Sequence, residues 1–494
     1  MKAPVVEWLL DAATSANASG VALQAGKSAW SHAQLAQRML RTAAALRSQG
    51  VTAGARVGLA LGTGEAYVSS LLGILALGAT AVPLSPLYRR KELAFHMRAN
   101  RVVGVVTDAL LAPTCAAAIG EATLSGPIWS FGESRTGVDL LPLIERASQD
   151  LEPADVSSDD VAIVLHTAGS TGRSKLVPRT HGQLRAECDN VAQSLRTSTD
   201  DVIFGMLPLH HCHGLMNCLL AALRARCRLV LHTDPRPFVL VREDVLRQIR
   251  DERITILPAI PFQFEVLLMA RTEIDLPSLR LCYTGGAALG REIFDGFKKR
   301  FGVLVRQEYG CTEAGAVTLN LGDNLDATWM TAGQPLAGTR VSILDPDREG
   351  IGEIVIATDA LTSGYEGLDE LNREVFVDGA FRTGDLGCID RAGNLQITRR
   401  RPIYLDVAGH KVDSSEVEAT LAEVPGVVDV LVVATQTRPA AIKAVIVASQ
   451  PLRPTELREF CRHRLASYKV PSVFEFRNTM PRDPTGKRTR KDLL

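Results

Sequence analysis

Short apolar segments alternate with amphipathic, helix-like segments along most of this chain. Apolar residues recur at helical spacing from Ser31 to Ser48, and residues 50–62 are then typical of a turn followed by a short buried strand. The helical spacing returns over Glu65–Leu77, and the strand pattern returns over residues 80–86, where prolines end it. Strands separated by helices favour largely parallel sheets covered by helices, so the pattern predicts an α/β fold.

The pattern changes in the last third of the chain. Between Gly338 and Asp390, short strands are joined by Gly and Asp turns, which predicts an antiparallel β-subdomain. Three consecutive arginines at 399–401 and Pro402 then precede another α/β unit. We therefore place the main boundary near residues 399–402, with a large domain at 1–398 and a small domain at 399–494. A chain of 494 residues is long enough for two to four such lobes.

Charge and cysteine usage narrow the class of protein. Lys plus Arg equals Asp plus Glu, at 55 each, so no net charge attracts nucleic acid and we expect no nucleic-acid partner. The nine cysteines include no CxxC pair, and their odd number argues against a disulfide framework. A reducing, cytoplasmic location is expected.

The most apolar stretch of the chain runs from Tyr67 to Pro83. Ser69, Ser70 and Gly73 are among the residues that interrupt it, whereas a membrane-spanning helix needs about 20 mostly apolar residues. We predict a buried helix followed by a strand, and no membrane span.

A strand that runs into small and hydroxylated residues marks the most informative segment, His166–His181. Small residues let backbone N–H groups approach an anion closely, hydroxyls add donors and a lysine supplies charge. The candidate phosphate-binding residues are Thr167, Ser170, Thr171, Gly172 and Lys175. The glycine spacing differs from that of the P-loop nucleotidases. A flexible turn without a ligand is the alternative interpretation.

The string TAGSTGRSK at 167–175 resembles the phosphate-binding signature of the adenylate-forming (AMP-binding) enzyme superfamily. This superfamily includes acyl-CoA synthetases, luciferases and the adenylation domains of peptide synthetases. Further stretches match it in the expected order, namely LPLHHCHGL (207–215), YGCTEAG (309–315), FRTGDLG (381–387) and PTGKRTR (484–490). PLYRRKEL (86–93) is typical of acyl-CoA ligases. The resemblance implies a large N-terminal domain of two α/β lobes plus a β-subdomain, with a small, mobile C-terminal α+β lid.

The resemblance also implies a nucleotide site. Tyr309, flanked by Glu308 and Gly310, would offer a flat face to adenine, although a core tyrosine is the alternative. Thr312 would contact the α-phosphate. A hard cation that bridges phosphates needs few protein carboxylates, so Glu313, together with Thr171, would hold Mg²⁺. A surface salt bridge is the alternative for Glu313.

Three more residues complete the implied nucleotide site. Asp385 would accept hydrogen bonds from the ribose hydroxyls, which suits a carboxylate, or it would merely occupy a tight turn. Arg400 would lie near the ribose and phosphates, or in solvent. Lys487 would reach the active site from the lid and stabilise the charge that builds up on the phosphate.

An acyl pocket is expected beside the nucleotide. The run His210–His213 resembles a metal cluster, but adjacent residues of an extended segment face opposite sides, so we expect no metal there. His211 instead matches the family's gating residue beside this pocket. Gly285, Gly286 and Ala287 are expected to line the pocket, with simple strand-to-helix packing as the alternative. Gly409 is expected where the thiol arm enters.

The chain departs from the family at the hinge between its domains. Arg399 replaces a glycine, and at the hinge itself, where the family has an acidic residue or a lysine, this chain has Arg401, Pro402 and Ile403. Proline restricts φ to about −65°, so we hypothesise that the rotation of the lid is hindered or shifted to neighbouring bonds.

The implied activity has two steps. A carboxylic acid and ATP form acyl-AMP and pyrophosphate, and the acyl group then passes to a thiol, CoA by preference. A stand-alone adenylation enzyme that loads the phosphopantetheine of an acyl carrier protein is the first alternative, and a non-catalytic binding homologue is the second. The acid is left open. Apolar pocket segments favour an apolar or aromatic acid, and the absence of Asp from residues 207–215 argues against an α-amino acid.

Overall fold

The computed structural model describes residues 1–167, 174–399, 404–435 and 440–480. The predicted residues Ser170, Thr171, Gly172, Arg400 and Lys487 lie outside these ranges, as does Pro402 of the hinge hypothesis. Their roles therefore stay predictions.

The first lobe contains a mainly parallel sheet with the strand order β7-β6-β5-β3-β4-β8-β9. Among the described strands of this sheet, β8 and β9 form the one antiparallel pair, and they lie on either side of residues 168–173. The elements in this part of the chain are α1 (Pro4–Thr14), β1 (Val21–Ala25), β2 (Ser28–Ser31), α2 (His32–Ser48), β3 (Arg56–Ala60), α3 (Glu65–Ala76), β4 (Thr80–Pro83), α4 (Arg90–Asn100), β5 (Gly104–Asp108), α5 (Ala112–Glu121), β6 (Ile128–Phe131), β7 (Val138–Asp139), α6 (Leu140–Arg146), β8 (Val161–Thr167), β9 (Lys175–Thr180) and α7 (His181–Leu195).

A second sheet is built from residues 202–335 and also includes the N-terminal hairpin β1–β2. Its elements are β10 (Val202–Gly205), α8 (Cys212–Gly214), a π-helix (Leu215–Leu220), α9 (Ala221–Ala225), β11 (Arg228–Leu231), α10 (Phe238–Asp251), β12 (Ile256–Ala259), α11 (Pro261–Leu268), β13 (Leu281–Thr284), α12 (Arg291–Phe301), β14 (Val305–Cys311), β15 (Gly315–Leu319), α13 (Leu325–Thr328) and β16 (Gln334–Pro335). The strand order is β16-β15-β14-β13-β12-β10-β11-β1-β2, parallel from β1 to β14 and antiparallel at both edges.

The expected antiparallel subdomain follows. It consists of β17 (Thr339–Leu344), β18 (Gly352–Thr358), α14 (Asp369–Val375), β19 (Phe376–Val377), β20 (Ala380–Ile389) and β21 (Leu395–Arg399). All of its strand pairs are antiparallel.

The C-terminal domain begins with a two-stranded hairpin and ends in a small mixed sheet with the order β24-β25-β26. Its elements are β22 (Tyr404–Val407), β23 (His410–Asp413), α15 (Ser414–Ala422), β24 (Val427–Ala434), β25 (Ile442–Ala448), α16 (Pro454–Arg462), a 3₁₀ turn (Ser467–Lys469) and β26 (Val473–Phe476).

One apolar core connects the two large sheets. It joins side chains of β3, such as Val57 and Leu59, to Ile203 of β10 and Leu229 of β11. Helix α3 lies in this core with ten of its residues buried, which confirms the prediction for the apolar stretch 67–83. A helix that is apolar all round is stable only when it is buried on every side.

The α/β prediction and the predicted β-subdomain are confirmed by this topology. The proposed boundary lies where the five-stranded sheet gives way to the β22–β23 hairpin, and its position at 398/399 stays a prediction. Within the described ranges, no helix is both long and apolar enough to cross a membrane. The nine cysteines all lie in these ranges, and each is a free thiol.

Candidate active site

Two adjoining cavities lie between the large lobes and the C-terminal domain in the described part of the chain. The first, which we call the polar cleft, has a volume of about 660 Å³ and is lined by Thr167, Lys175, Thr312, Glu313 and Asp385, among others. The second, the inner pocket, has a volume of about 600 Å³ and is lined by Gly285, Gly286, Glu308, Gly310 and Gly409, among others. Both are bounded by His211, Cys212, Gly310, Cys311, Thr312, His410 and Lys411, which form a shared wall. The fold therefore brings together predicted residues from distant motifs.

Tyr365 holds two charged residues of the polar cleft in place. Its hydroxyl donates a hydrogen bond to Glu313 Oε1 over 2.6 Å, and Lys175 Nζ lies 4.0 Å from the centroid of its ring. Burial lowers the pKa of Lys175, although the charge of Glu313 opposes that shift. A lysine and a carboxylate on either side of one tyrosine give the cleft both a cation for phosphate oxygens and an oxygen ligand for a metal.

The Thr167 hydroxyl is also suited to contact an anion. Thr167 ends β8 and lines the polar cleft, and its Oγ1 is buried without a hydrogen-bond partner among the described residues. A buried hydroxyl normally has a partner. A phosphate oxygen would supply one, so this position fits a nucleotide.

Asp385 is oriented by a residue from a different motif. The Tyr309 hydroxyl donates to Asp385 Oδ2 over 2.8 Å, and the Asp385 backbone N–H donates to Thr383 Oγ1. Gly384, with φ of +74°, makes the turn that presents the carboxylate to the cleft. Tyr309 itself is 1% exposed and lines neither cavity. In this arrangement Tyr309 positions Asp385, and its stacking on adenine stays a prediction that requires the ring to be uncovered.

A buried ion pair supports the shared wall at Thr312. Arg179 Nη2 lies 2.8 Å from Glu187 Oε2, with both side chains at most 2% exposed, and Arg179 Nη1 donates to the Thr312 carbonyl over 3.1 Å. Burial opposes the charge of Arg179, but the nearby Glu187 outweighs it and the pKa of Arg179 is raised. A Cβ on Gly315 would lie 2.1 Å from the Glu187 carboxyl carbon, so only glycine fits there. Sequence reasoning missed this pair, although an arginine directly after the apolar residues 176–178 was a visible signal.

The segment His210–His213 is not extended, so that expectation was wrong. The His211 N–H donates to the Pro208 carbonyl in a turn, and Cys212 then begins α8, which runs into the π-helix. His211 lies in the shared wall, and burial, followed by the nearby Lys411 and His410, lowers its pKa to about 4. Its imidazole is therefore neutral at pH 7. In the described ranges, no group of three or more His, Cys, Asp or Glu side chains is arranged to hold a metal ion.

Two glycines make room in the inner pocket. A Cβ on Gly285 would approach Glu308 Oε2 to 3.1 Å and His213 Cε1 to 3.3 Å, which is closer than ordinary contact. Gly286 has φ of +85° and lies opposite the Lys411 side chain. Ala287 is adjacent to them and lines neither cavity. Gly285 and Gly286 therefore lie in the wall of the inner pocket and Ala287 does not, and the assignment of this pocket to the acid stays a prediction.

The C-terminal domain contributes one end of both cavities through the β22–β23 turn. Gly409 has φ of +86°, and its N–H donates to Asp406 Oδ1 over 2.9 Å. A Cβ at Gly409 would lie 2.0 Å from Cδ1 of Ile260 in the large domain, so only glycine allows this approach. Lys411, which follows in the shared wall, is a second residue that sequence reasoning missed.

A buried ion cluster also joins the two domains. Lys469 Nζ lies 2.7 Å from Glu92 Oε1 of the large domain and 2.9 Å from Glu416 Oε1 of its own domain. Its side chain is 8% exposed, and that of Glu92 is 7% exposed. Burial opposes the charge of Lys469, but the two carboxylates outweigh it and raise its pKa. The adjacent Tyr468 ring stacks on His410, which ties this contact to the turn at Gly409.

The model of the AMP-binding enzyme family matches residues 10–366, and the model of its C-terminal domain matches residues 416–487. The chain belongs to the AMP-binding enzyme family. This confirms the resemblance inferred from the motifs. Feruloyl-CoA synthase of Amycolatopsis is 30% identical over 480 residues, which cover 94% of each chain. Long-chain-fatty-acid–CoA ligase FadD13 of Mycobacterium tuberculosis is 29% identical over 467 residues, 92% of this chain and 91% of FadD13.

The fold is also that of solved AMP-binding enzymes. A double mutant of o-succinylbenzoate CoA synthetase from Bacillus subtilis, bound to a product analogue, superposes with a TM-score of 0.87 over 98% of each chain, at 24% identity. The predicted architecture of a large N-terminal domain and a small C-terminal domain is confirmed.

Proposed function

We propose that this AMP-binding enzyme is an ATP-dependent acid–CoA ligase. A carboxylate oxygen of the acid attacks the α-phosphorus of ATP, and the bond to pyrophosphate breaks. The CoA sulfur, having lost its proton, then attacks the acyl carbon, and AMP leaves. The shared wall carries this proposal, since an acid in the inner pocket and a nucleotide in the polar cleft can meet only along it. The same activity is supported by the relatives reported above, one named a CoA ligase and the other a CoA synthase.

The polar cleft supplies the groups that a nucleotide needs. Lys175 places its ammonium group on the phosphate side, and Asp385, held by Tyr309, offers a carboxylate to the ribose hydroxyls. The carboxylate of Glu313, oriented by Tyr365, fits Mg²⁺, which prefers one or two carboxylates plus phosphate oxygens. When bound, Mg²⁺ neutralises charge on the pyrophosphate that leaves.

The shared wall is suited to bringing two anions together. Thr312 lies on it, and Arg179 donates a hydrogen bond to the Thr312 carbonyl. His211 is neutral and can donate a hydrogen bond to the acid without adding a competing charge. Positioning of this kind lowers the entropic part of the activation barrier for joining two reactants.

The thiol enters from the side of the C-terminal domain in this proposal. The Gly409 turn lines the inner pocket, and the absence of a side chain at Gly409 lets the turn approach Ile260. CoA is the preferred acceptor, and the phosphopantetheine of a carrier protein would use the same opening. A cytoplasmic location belongs with this proposal and is supported by the nine free thiols.

The test is acid-dependent exchange of labelled pyrophosphate into ATP, followed by thioester formation with CoA or with a carrier protein. Lys175→Met should lower the exchange rate by roughly 100-fold or more, as removal of a charge-stabilising group does. Lys27→Met, in the exposed turn between β1 and β2, is the matched control and should leave the rate unchanged. Absence of both exchange and ATP binding with any acid would refute the ligase and favour a non-catalytic homologue. Transfer to a carrier protein but not to CoA would correct the acceptor.

A further inference from the structure

A buried carboxylate lies in the wall of the inner pocket. Glu308 of β14 has a side chain only 6% exposed, and it lines the cavity whereas the next residue, Tyr309, is buried in the core. Alternate residues of a strand face opposite sides, so Glu308 faces the inner pocket while Tyr309 faces the core. Glu308 precedes Gly310 of the shared wall by two residues, which is roughly 7 Å along an extended strand.

The hydrogen-bond capacity of Glu308 is only partly used. Asn217 Nδ2 donates to Oε1 over 3.1 Å and more weakly to Oε2 over 3.5 Å. His213 Nε2 lies 3.1 Å from Oε2, but the geometry is not that of a hydrogen bond. Among the described residues, no lysine or arginine forms an ion pair with Glu308. A carboxylate can accept about four hydrogen bonds, and a buried charge is costly unless it is satisfied.

The placement of Asn217 depends on an unusual helix. Asn217 lies in the π-helix Leu215–Leu220, and its side chain is 5% exposed. Single turns of π-helix are rare and occur frequently at functional sites, because the widened turn redirects side chains. Here that turn directs an amide at Glu308 across 91 positions of sequence.

Apolar side chains line part of the inner pocket. Its lining includes Met206, Leu207, Met216, Phe238, Ile260, Phe262 and Ala316. An acid with an apolar body therefore fits the walls, as the sequence predicts, but its far end would meet a charge. An apolar group there would remove water from Glu308 and offer no hydrogen bond in return.

We propose that Glu308, with Asn217 and His213, selects a carboxylic acid that carries a hydrogen-bond donor, a hydroxyl or an amino group, at the end remote from its carboxylate. This inference rests on the proposed ligase function and names its class of substrate. A site built to bind a polar substituent discriminates strongly against an analogue that lacks it, because its own polar group is left unsatisfied.

The experiment compares kcat/KM for pyrophosphate exchange within matched acids. An aromatic set contains para-hydroxybenzoate, para-aminobenzoate and para-methylbenzoate, and an aliphatic set contains ω-hydroxyhexanoate, ω-aminohexanoate and heptanoate. The wild-type enzyme should prefer a donor-bearing acid to its methyl counterpart by at least about tenfold. Equal or better exchange with the methyl acids would overturn the inference and leave the ligase function intact. No exchange with any acid, together with no binding of ATP, would overturn both.

Variants of the inner pocket test whether Glu308 is the cause of the preference for a donor-bearing acid. Glu308→Leu should remove or invert the preference for a donor, and Glu308→Gln should keep it for a hydroxyl but lose it for a charged amine. If the Glu308→Leu variant does not fold, Asn217→Leu tests the same site, and we expect it to reduce the preference for a donor-bearing acid. Glu349→Gln, in the exposed turn between β17 and β18, is the control and should change nothing. A donor preference that survives both Glu308→Leu and Asn217→Leu would overturn the assignment.

Discussion

Lys469 is a buried cation that joins the two domains. Its removal should slow the second half-reaction, thiol transfer, and leave the first, adenylate formation, almost unchanged. Lys469→Met keeps the length of the side chain but leaves Glu92 and Glu416 facing each other without the ammonium that lies 2.7 Å and 2.9 Å from them. Rotation of the C-terminal domain would relieve that repulsion, because the carboxylates belong to different domains. The docked arrangement alone is therefore destabilised.

The magnitude follows from the burial of the cluster. Removing one partner of a buried ion pair typically costs about 3–5 kcal/mol. About 3 kcal/mol corresponds to roughly a 100-fold change in the equilibrium between docked and rotated arrangements. In the docked arrangement the Gly409 turn lines the inner pocket, and we assign this arrangement of the two domains to thiol transfer. We expect thioester formation to slow by up to roughly 100-fold and pyrophosphate exchange to change little.

The assay measures each half-reaction separately. Single-turnover conversion of a supplied acyl-adenylate with CoA reports the second step, and pyrophosphate exchange reports the first. Lys443→Met is the matched control, because Lys443 pairs with Glu475 inside the C-terminal domain, 3.2 Å away. Adding Glu92→Gln to Lys469→Met removes one facing carboxylate and should restore part of the transfer rate. Unchanged transfer, or loss of exchange with transfer intact, would refute the reasoning.

Two further predictions concern how the cavities are built. Tyr309→Phe removes the hydrogen bond to Asp385, and because bonds to a charged group contribute about 1.5–3 kcal/mol, the KM for ATP should rise at least about tenfold while the KM for the acid stays constant. An equal rise in both KM values would contradict a role in ribose binding. Gly285→Ala should raise the KM for the acid and not that for ATP, because its Cβ would lie 3.1 Å from Glu308 Oε2. Gly120→Ala, where a Cβ meets nothing within 4 Å, is the control, and an equal effect there would contradict the steric argument.

The family and the fold class could be predicted because their evidence is local. Motifs such as residues 309–315 and 381–387 are continuous strings in which a strand, a turn and a functional side chain follow one another. The apolar stretch 67–83 could likewise be predicted as buried, since its composition alone excludes exposure to water. The error at His210–His213 has a local cause too, because no pattern in those residues distinguishes an extended segment from a turn that begins a helix.

What only the tertiary structure decided is which side chains meet. Strand periodicity says that Glu308 and Tyr309 face opposite sides, but not which of them enters the core. The packing of β14 against the rest of the large domain buries Tyr309 and turns Glu308 to the pocket. Arg179 and Glu187 behind Thr312, and Lys469 between Glu92 and Glu416, likewise depend on contacts between distant segments. The chain by itself determined the chemistry available at the site, because residue type sets charge and hydrogen bonding, whereas folding decided which of those groups are paired in the interior and which are left for a substrate.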